Sequence, residues 1–246
     1  MWLSRVCREN DDRVKRVLLT LALLLCLLPS VAQMQKVQIR PYIDQRRFHY
    51  GFFIGVHMQD MEFVNNGFVT EDGQSWFMDV NEYLPGFQVG VLGEMYLHKH
   101  IAARLLPSLY FGDRKVVFKE AVTGERRYMQ MRSCYVSVPV NFKFAAERVN
   151  NFRPYVVAGA APIFNLTTPK QKELRVNTFD MQIEIGLGCD IYLPFFKLIP
   201  ELKFCFGVVD IINKNRNDLT DKYMYRFTQS VDRAMSRSIA LTFYFE

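Results

Sequence analysis

The 246-residue chain has no apolar run long enough to cross a bilayer as a helix, so any passage through a membrane has to be made by strands. Histidine is scarce: there are four, and none lies in the long polar stretches where an exposed active site would be assembled. His98 and His100 flank Lys99 on a short turn with no third ligand nearby in sequence, which reads as a solvated turn and not a metal site. His49 and His57 share a strand phase but lie eight residues apart, too far to hold one ligand. No G-x-S-x-G, H-E-x-x-H, P-loop or dinucleotide fingerprint is present, so the sequence gives no support for an enzyme, a cofactor or a small-molecule substrate. There is no C-x-x-C pair either, and Cys134, Cys189 and Cys205 sit inside strand patterns, which suggests neither a zinc site nor a disulfide framework. The positive charge is not gathered into a stripe, so a nucleic-acid partner is not expected.

The first 32 residues have the three parts of a secretory signal. Arg5, Arg8, Arg13, Lys15 and Arg16 form a basic n-region, Val17 to Leu28 form a short apolar run, and Ser30-Val31-Ala32 supplies small residues for a cut after Ala32. A lipoprotein reading would use Cys26, but Leu23-Leu24-Leu25 precede it where a lipobox carries Gly, Ala or Ser. The removed piece holds five bases against Glu9, Asp11 and Asp12, so +2 of the +6 net charge leaves with it and +4 remains. The expected organisation is a signal peptide over 1–32, a periplasmic segment over 33–47 and a barrel domain over 48–246.

Apolar and polar residues then alternate with period two along the rest of the chain, a pattern helices do not generate. Phe48, Tyr50, Phe52, Ile54, Val56 and Met58 form one face of the first segment, opposite His49, Gly51, Phe53, Gly55 and His57. Similar segments follow at about 87–97, 101–111, 133–144, 154–166, 179–192, 198–208 and 238–245, which makes eight. Their connections alternate too. The links near His98, over 145–153 and over 193–196 are short, whereas 59–84, 113–128, 167–177 and 210–235 are long and polar. An all-β fold is predicted: an eight-stranded antiparallel transmembrane up-and-down barrel with four long extracellular loops and periplasmic termini, set in the outer-membrane lipid of a diderm bacterium.

Energetics assigns the faces. Glu94, Arg104, Lys143, Glu184, Asp190, Glu201 and Lys203 share the phase opposite the apolar face, and a charge facing lipid near the midplane costs about 2–4 kcal/mol. They are expected to face the lumen, where eight strands leave room only for side chains, as a paired polar plug and not an open pore. Pro107, Pro139, Pro162 and Pro200 fall inside predicted strands, where a proline cannot donate to the ladder, so each should mark a bulge or a rim. Two groups of residues are candidate partner-binding sites. Phe63, Phe68, Trp76, Phe77 and Tyr83 make the first long loop unusually aromatic, either packing over the barrel mouth or docking a partner. Arg40, Arg46 and Arg47 make the segment before the first strand basic, suited to lipid phosphates or a partner.

The segment R-P-Y-I-D-Q-R-R-F-H-Y-G-F-F-I-G from Arg40 resembles the lead into the first strand of PorT-like proteins. R-S-C-Y-V-S-V-P-V-N-F-K-F from Arg132, R-P-Y-V-V-A-G-A from Arg153 and L-P-F-F-K-L-I-P-E-L-K-F-C-F-G from Leu193 are similar to later parts of that family, in the same order. The chain departs from the pattern by ending in Glu246 and by lacking an acidic residue before Pro139. The resemblance implies a non-enzymatic outer-membrane barrel with an accessory or assembly role in type IX protein secretion, which exports cargo carrying a C-terminal signal domain, and it implies other secretion-system components as partners. The alternative is a stand-alone structural or adhesive barrel of the small OmpX-like kind. A soluble ligand-holding barrel would need an apolar lumen, against which Glu184 and Asp190 speak.

Overall fold

In the computed structural model, each of the eight alternating segments falls on strand. The structure describes residues 37–69, 74–82, 84–121, 123–167, 176–213 and 230–246. The signal-peptide assignment therefore lies outside the described residues. Eleven strands are described: β1 Phe48–Asn65, β2 Trp76–Glu82, β3 Pro85–His98, β4 Ile101–Leu105, β5 Ser108–Glu120, β6 Arg126–Ser137, β7 Val140–Ala145, β8 Phe152–Asn165, β9 Phe179–Tyr192, β10 Lys197–Gly207 and β11 Val231–Phe245.

These strands make a ring of eight staves. β4 and β5 are one stave interrupted at 106–107, and β6 and β7 are one interrupted at 138–139. Around the ring, β1 pairs β3, the β4/β5 stave follows, then β6/β7, β8, β9, β10 and β11. The ring closes where β1 pairs β11 antiparallel, from Phe52 opposite Phe245 to Asn65 opposite Val231. Closure leaves no free edge among the staves, which a lipid-embedded sheet requires because hydrocarbon offers backbone groups no alternative partner. β2 stands outside the ring and adds to the far end of β5, Trp76 opposite Glu120.

The prolines explain the interruptions. By register, Pro107 faces Val91 of β3, Pro139 faces Leu106, and Pro162 of β8 faces Val138, so the three defects lie in one row across adjacent staves. Each proline lacks the N–H of a normal pair, but its carbonyl still accepts from across the gap, from Val91 N at 3.0 Å, Leu106 N at 3.0 Å and Val138 N at 3.1 Å. Two lumen serines add bonds beside the row: Ser108 Oγ donates to Ser137 O at 3.2 Å and Ser137 Oγ to Pro162 O at 3.3 Å. Pro200 marks another interruption, between β9 and β10, whose ladder skips Ile199 and Pro200 while keeping register on either side.

Alternation sorts the two faces. Phe52, Ile54, Val56, Phe142, Val156, Ile183, Ile185, Leu187, Phe204, Ile239 and Leu241 are exposed on the outside, while every second residue between them is turned inward. Glycines in the inward row make space for large rings. A Cβ on Gly90 would stand 2.5 Å from Phe53 Cζ, and one on Gly188 would stand 2.3 Å from the Tyr155 ring.

The strands outlast the belt at one end. The sequence pattern predicts long polar connections over 59–84, 113–128 and 210–235, yet β1 runs on to Asn65, β5 to Glu120, β6 starts at Arg126 and β11 at Val231. The reason is a second core. Met61, Trp76, Met78, Val116, Phe118, Met129, Ile211 and Val231 bury one another there, giving the extended strands an apolar face to cover. At the opposite end the links 99–100, 146–151 and 193–196 stay short, with Asn150 taking the left-handed φ of 55° that its turn needs.

Candidate functional site

The lumen is the place where this sequence spends its buried charge. Glu94, Arg104, Lys143, Glu184, Asp190, Glu201 and Lys203 are all at most 2 % exposed. Arg104 on β4 is the hub. Its Nε donates to Glu94 Oε2 on β3 at 2.5 Å, and its Nη1 donates to Glu201 Oε2 on β10 at 2.8 Å. Two tyrosine hydroxyls, from Tyr155 at 2.7 Å and Tyr244 at 2.8 Å, complete the shell around Glu201. The guanidinium also stands over the Tyr155 ring, 4.7 Å from its centroid. Four staves therefore converge on one carboxylate, and strand register fixes each participant.

Lys143 on β7 forms the next layer toward the short turns, donating to both oxygens of Asp190 on β9 at 2.7 and 2.9 Å and lying 3.5 Å from Glu94. Toward the long-loop end, Asn141 donates to Glu184 at 2.9 Å and Lys203 approaches the same oxygen at 3.4 Å. Taking charges out of water costs several kcal/mol per ion, and such a cluster persists only when each charge meets an opposite charge and hydrogen bonds.

That criterion points to further buried charges. The seven predicted residues hold four acids and three bases, so the set is one base short. A fourth buried base is Lys197, 1 % exposed at the start of β10, with Nζ 3.9 Å from Asp190 and 2.6 Å from Glu246, a fifth acid that it brings with it. The imbalance in the count was the available signal. Glu246 turns inward as well, where His49 and Lys197 meet its carboxylate, while Phe245 takes the lipid-facing position beside it and stacks on Phe52.

Above the charged layers the lumen is held mainly by amide and hydroxyl side chains, with Asp180 as an acid among them. Gln59 donates to the Tyr135 hydroxyl, Gln88 Nε2 to Thr242 at 2.5 Å, Gln182 to Ser236 at 2.8 Å, and Ser236 to Asp180 at 2.5 Å. Tyr110 and Tyr135 stack there, ring centroids 4.6 Å apart. The apolar core at the long-loop end closes over this layer. Among the described residues, side chains occupy the interior at each of these levels.

The two candidate partner-binding groups fare differently. The aromatic loop does not act as one surface: Trp76 is 1 % exposed inside the apolar core and Phe63 packs half-buried against it, while Phe68 and Phe77 stay exposed. Tyr83 lies outside the described residues. Trp76 is inside because it stands next to Met78 on the inward phase of β2, whereas Phe77 takes the outward phase between them. Arg40, Arg46 and Arg47 lie together at the short-turn end, around a single 3-10 turn at Ile43–Gln45. Among the described residues, no group of three or more His, Cys, Asp or Glu side chains is placed to hold a metal. His100 instead donates through Nδ1 to Ala145 O at 2.9 Å.

A family model described as outer membrane protein beta-barrel domain matches residues 31–213. No curated protein matches the chain. Among solved structures, the chain is similar to Neisserial surface protein A, at 7 % identity and a TM-score of 0.43, with 81 % of this chain and 98 % of that chain covered. It is similar to the outer membrane protein OprG from Pseudomonas aeruginosa at 12 % identity and a TM-score of 0.44, covering 80 % and 92 %. It is also similar to Ail, the attachment invasion locus protein of Yersinia pestis, at 12 % identity and a TM-score of 0.36, covering 81 % and 99 %. With a family model spanning well over half of its length, and with its eight staves closed between β1 and β11, this chain belongs to the outer membrane protein β-barrel domain family.

Proposed function

We propose that this outer-membrane barrel is a non-enzymatic accessory of type IX protein secretion, acting through its two ends and not as a conduit. The observation that supports the non-conduit part is the buried network around Arg104, Lys143 and Lys197, whose ion pairs join facing staves across the lumen. Support for the secretion part comes from the resemblance to PorT-like proteins, whose segments lie here on the lead into β1, on β6 and β7, on β8 and across the turn into β10. In this reading the short turns and both ends of the mature chain face the periplasm, where the exposed Arg47 is available to partners, and Phe68 and Phe77 face outward.

A second reading is a stand-alone structural or adhesive barrel. It is favoured by the three-stranded sheet of β2, β5 and β6 at the long-loop end, which displays Phe77 at 42 % and Tyr128 at 59 % exposure beside Lys119 and Arg126. Gene deletion and complementation separate the two, with signal-domain cargo quantified in the medium and the periplasm. Periplasmic accumulation reversed by the intact gene is the expected result. Unchanged secretion with an intact outer membrane gives the second reading its place.

A further inference from the structure

Beyond the lumen, the short-turn end carries a small cleft built by an unusual backbone. Arg148, in the 146–151 turn, lies over the Tyr192 ring at 3.6 Å from its centroid and donates to the carbonyl oxygens of Ile39 at 2.5 Å, Arg40 at 3.4 Å and Asn150 at 2.9 Å. Asn151 accepts from Ile39 N at 2.9 Å. This clamp holds Arg40 at φ 54°, a left-handed conformation that non-glycine residues adopt rarely and that collects at ligand clamps. The result is a cleft of about 190 Å³ lined by Arg40, Pro41, Tyr42, Ile43 and Arg46.

The electrostatics of the cleft are one-sided. Asp44 is the one acid between Ile39 and Arg47, and its carboxylate is drawn away to accept the Tyr192 hydroxyl at 2.7 and 2.8 Å, with Arg153 at 3.7 Å. Arg40 has a weak contact to Phe195 O at 3.5 Å, and Arg46 forms no ion pair among the described residues. Arg40 and Arg46 thus line a concavity where, among the described residues, no carboxylate pairs with either. Its surroundings are aromatic: Phe195 is 90 % exposed, Tyr50 74 % and Tyr42 73 %. Exposed aromatic rings at a barrel end mark the membrane–water interface, the level at which headgroup phosphates lie.

We infer that this cleft is a binding site for one phospholipid headgroup, its phosphate held by Arg40 and Arg46 with the Tyr42 hydroxyl, and its acyl chains lying along the Phe48 and Tyr50 side of the barrel. Guanidinium forks match phosphate oxygens in geometry as well as charge, which suits an arginine pair better than lysines. The inference rests on the barrel's place in a bilayer and is independent of the export role.

The test uses the intact protein folded in mixed micelles of detergent and bacterial phospholipid, weighed by native mass spectrometry after detergent exchange. One phospholipid is expected to stay on the wild-type protein, and Arg40→Gln with Arg46→Gln to lower its retention by about 25-fold, about fivefold for each cation lost. Arg40→Gly removes the guanidinium while suiting the left-handed backbone, so it should fold at least as well, by heat-modifiable gel migration, and still lose about fivefold. Millimolar inorganic phosphate should leave the wild-type lipid in place. Equal retention by wild type and the double variant overturns the site, and stripping of the lipid by inorganic phosphate overturns its assignment to a lipid.

Discussion

Arg104 shows how one buried side chain can depend on the whole ring. It joins Glu94 and Glu201 across three staves with all three side chains at zero exposure, so removing it leaves two buried carboxylates without their guanidinium. Arg104→Met is therefore expected to destabilise the folded barrel by about 3–5 kcal/mol, the range for breaking a buried ion network on one side only. Adding Glu201→Gln should recover part of that loss. Urea unfolding from lipid vesicles measures both, and a single substitution costing under about 1 kcal/mol would mean the network is hydrated. Trp76 carries a simpler prediction. The chain has two tryptophans, and removal of the leader would take Trp2 away. The fluorescence of the processed protein would then report Trp76 alone, and its burial predicts blue-shifted emission that acrylamide barely quenches. Emission typical of water-exposed indole would place the apolar core at the long-loop end in doubt. At this scale the sequence was legible where phase decides position, as for Glu184 and Asp190. It was silent on Trp76, because an aromatic residue in a polar stretch reads the same whether it faces in or out until β2 has a partner.

The strands themselves were legible from alternation, and the prolines announced the defects but not their alignment. Pro107, Pro139 and Pro162 are spread across 56 positions of sequence, and only the antiparallel register brings them into one row. The strand extensions beyond the belt stayed hidden because their partners are other connections, whose pairing no local pattern encodes. The row makes a prediction for Pro139→Ala. Restoring a donor opposite Leu106 O gains about 0.5–1.5 kcal/mol, while a freer unfolded chain gives back about 0.4–1 kcal/mol. The two nearly cancel, so the unfolding midpoint should hardly move, while amide exchange at Leu106, whose N–H donates to Pro139 O, slows because its pair is complete. A loss above about 2 kcal/mol would show that the ring of Pro139 is needed for packing and is not merely a missing donor.

At the scale of the molecule, the barrel is an apolar cylinder filled in layers, each closed by different chemistry. Ion pairs occupy the short-turn half, hydrogen bonds of amides and hydroxyls the middle, and an apolar core the long-loop end. Eight staves make this possible because the interior is narrow enough for facing side chains to meet across it. The family and the ring of staves follow from features the sequence displays openly. The balance of the plug does not, since Lys197 sits at a strand boundary and Glu246 beyond the last strand, where alternation gives no guidance. The central claim, that the barrel works through its ends and conducts nothing through its middle, is tested most directly by electrical recording on the purified protein in planar lipid bilayers. The account predicts a flat trace at all moderate voltages, with insertion confirmed by protease protection of the staves. Stable unitary conductance steps from the same preparation would contradict it.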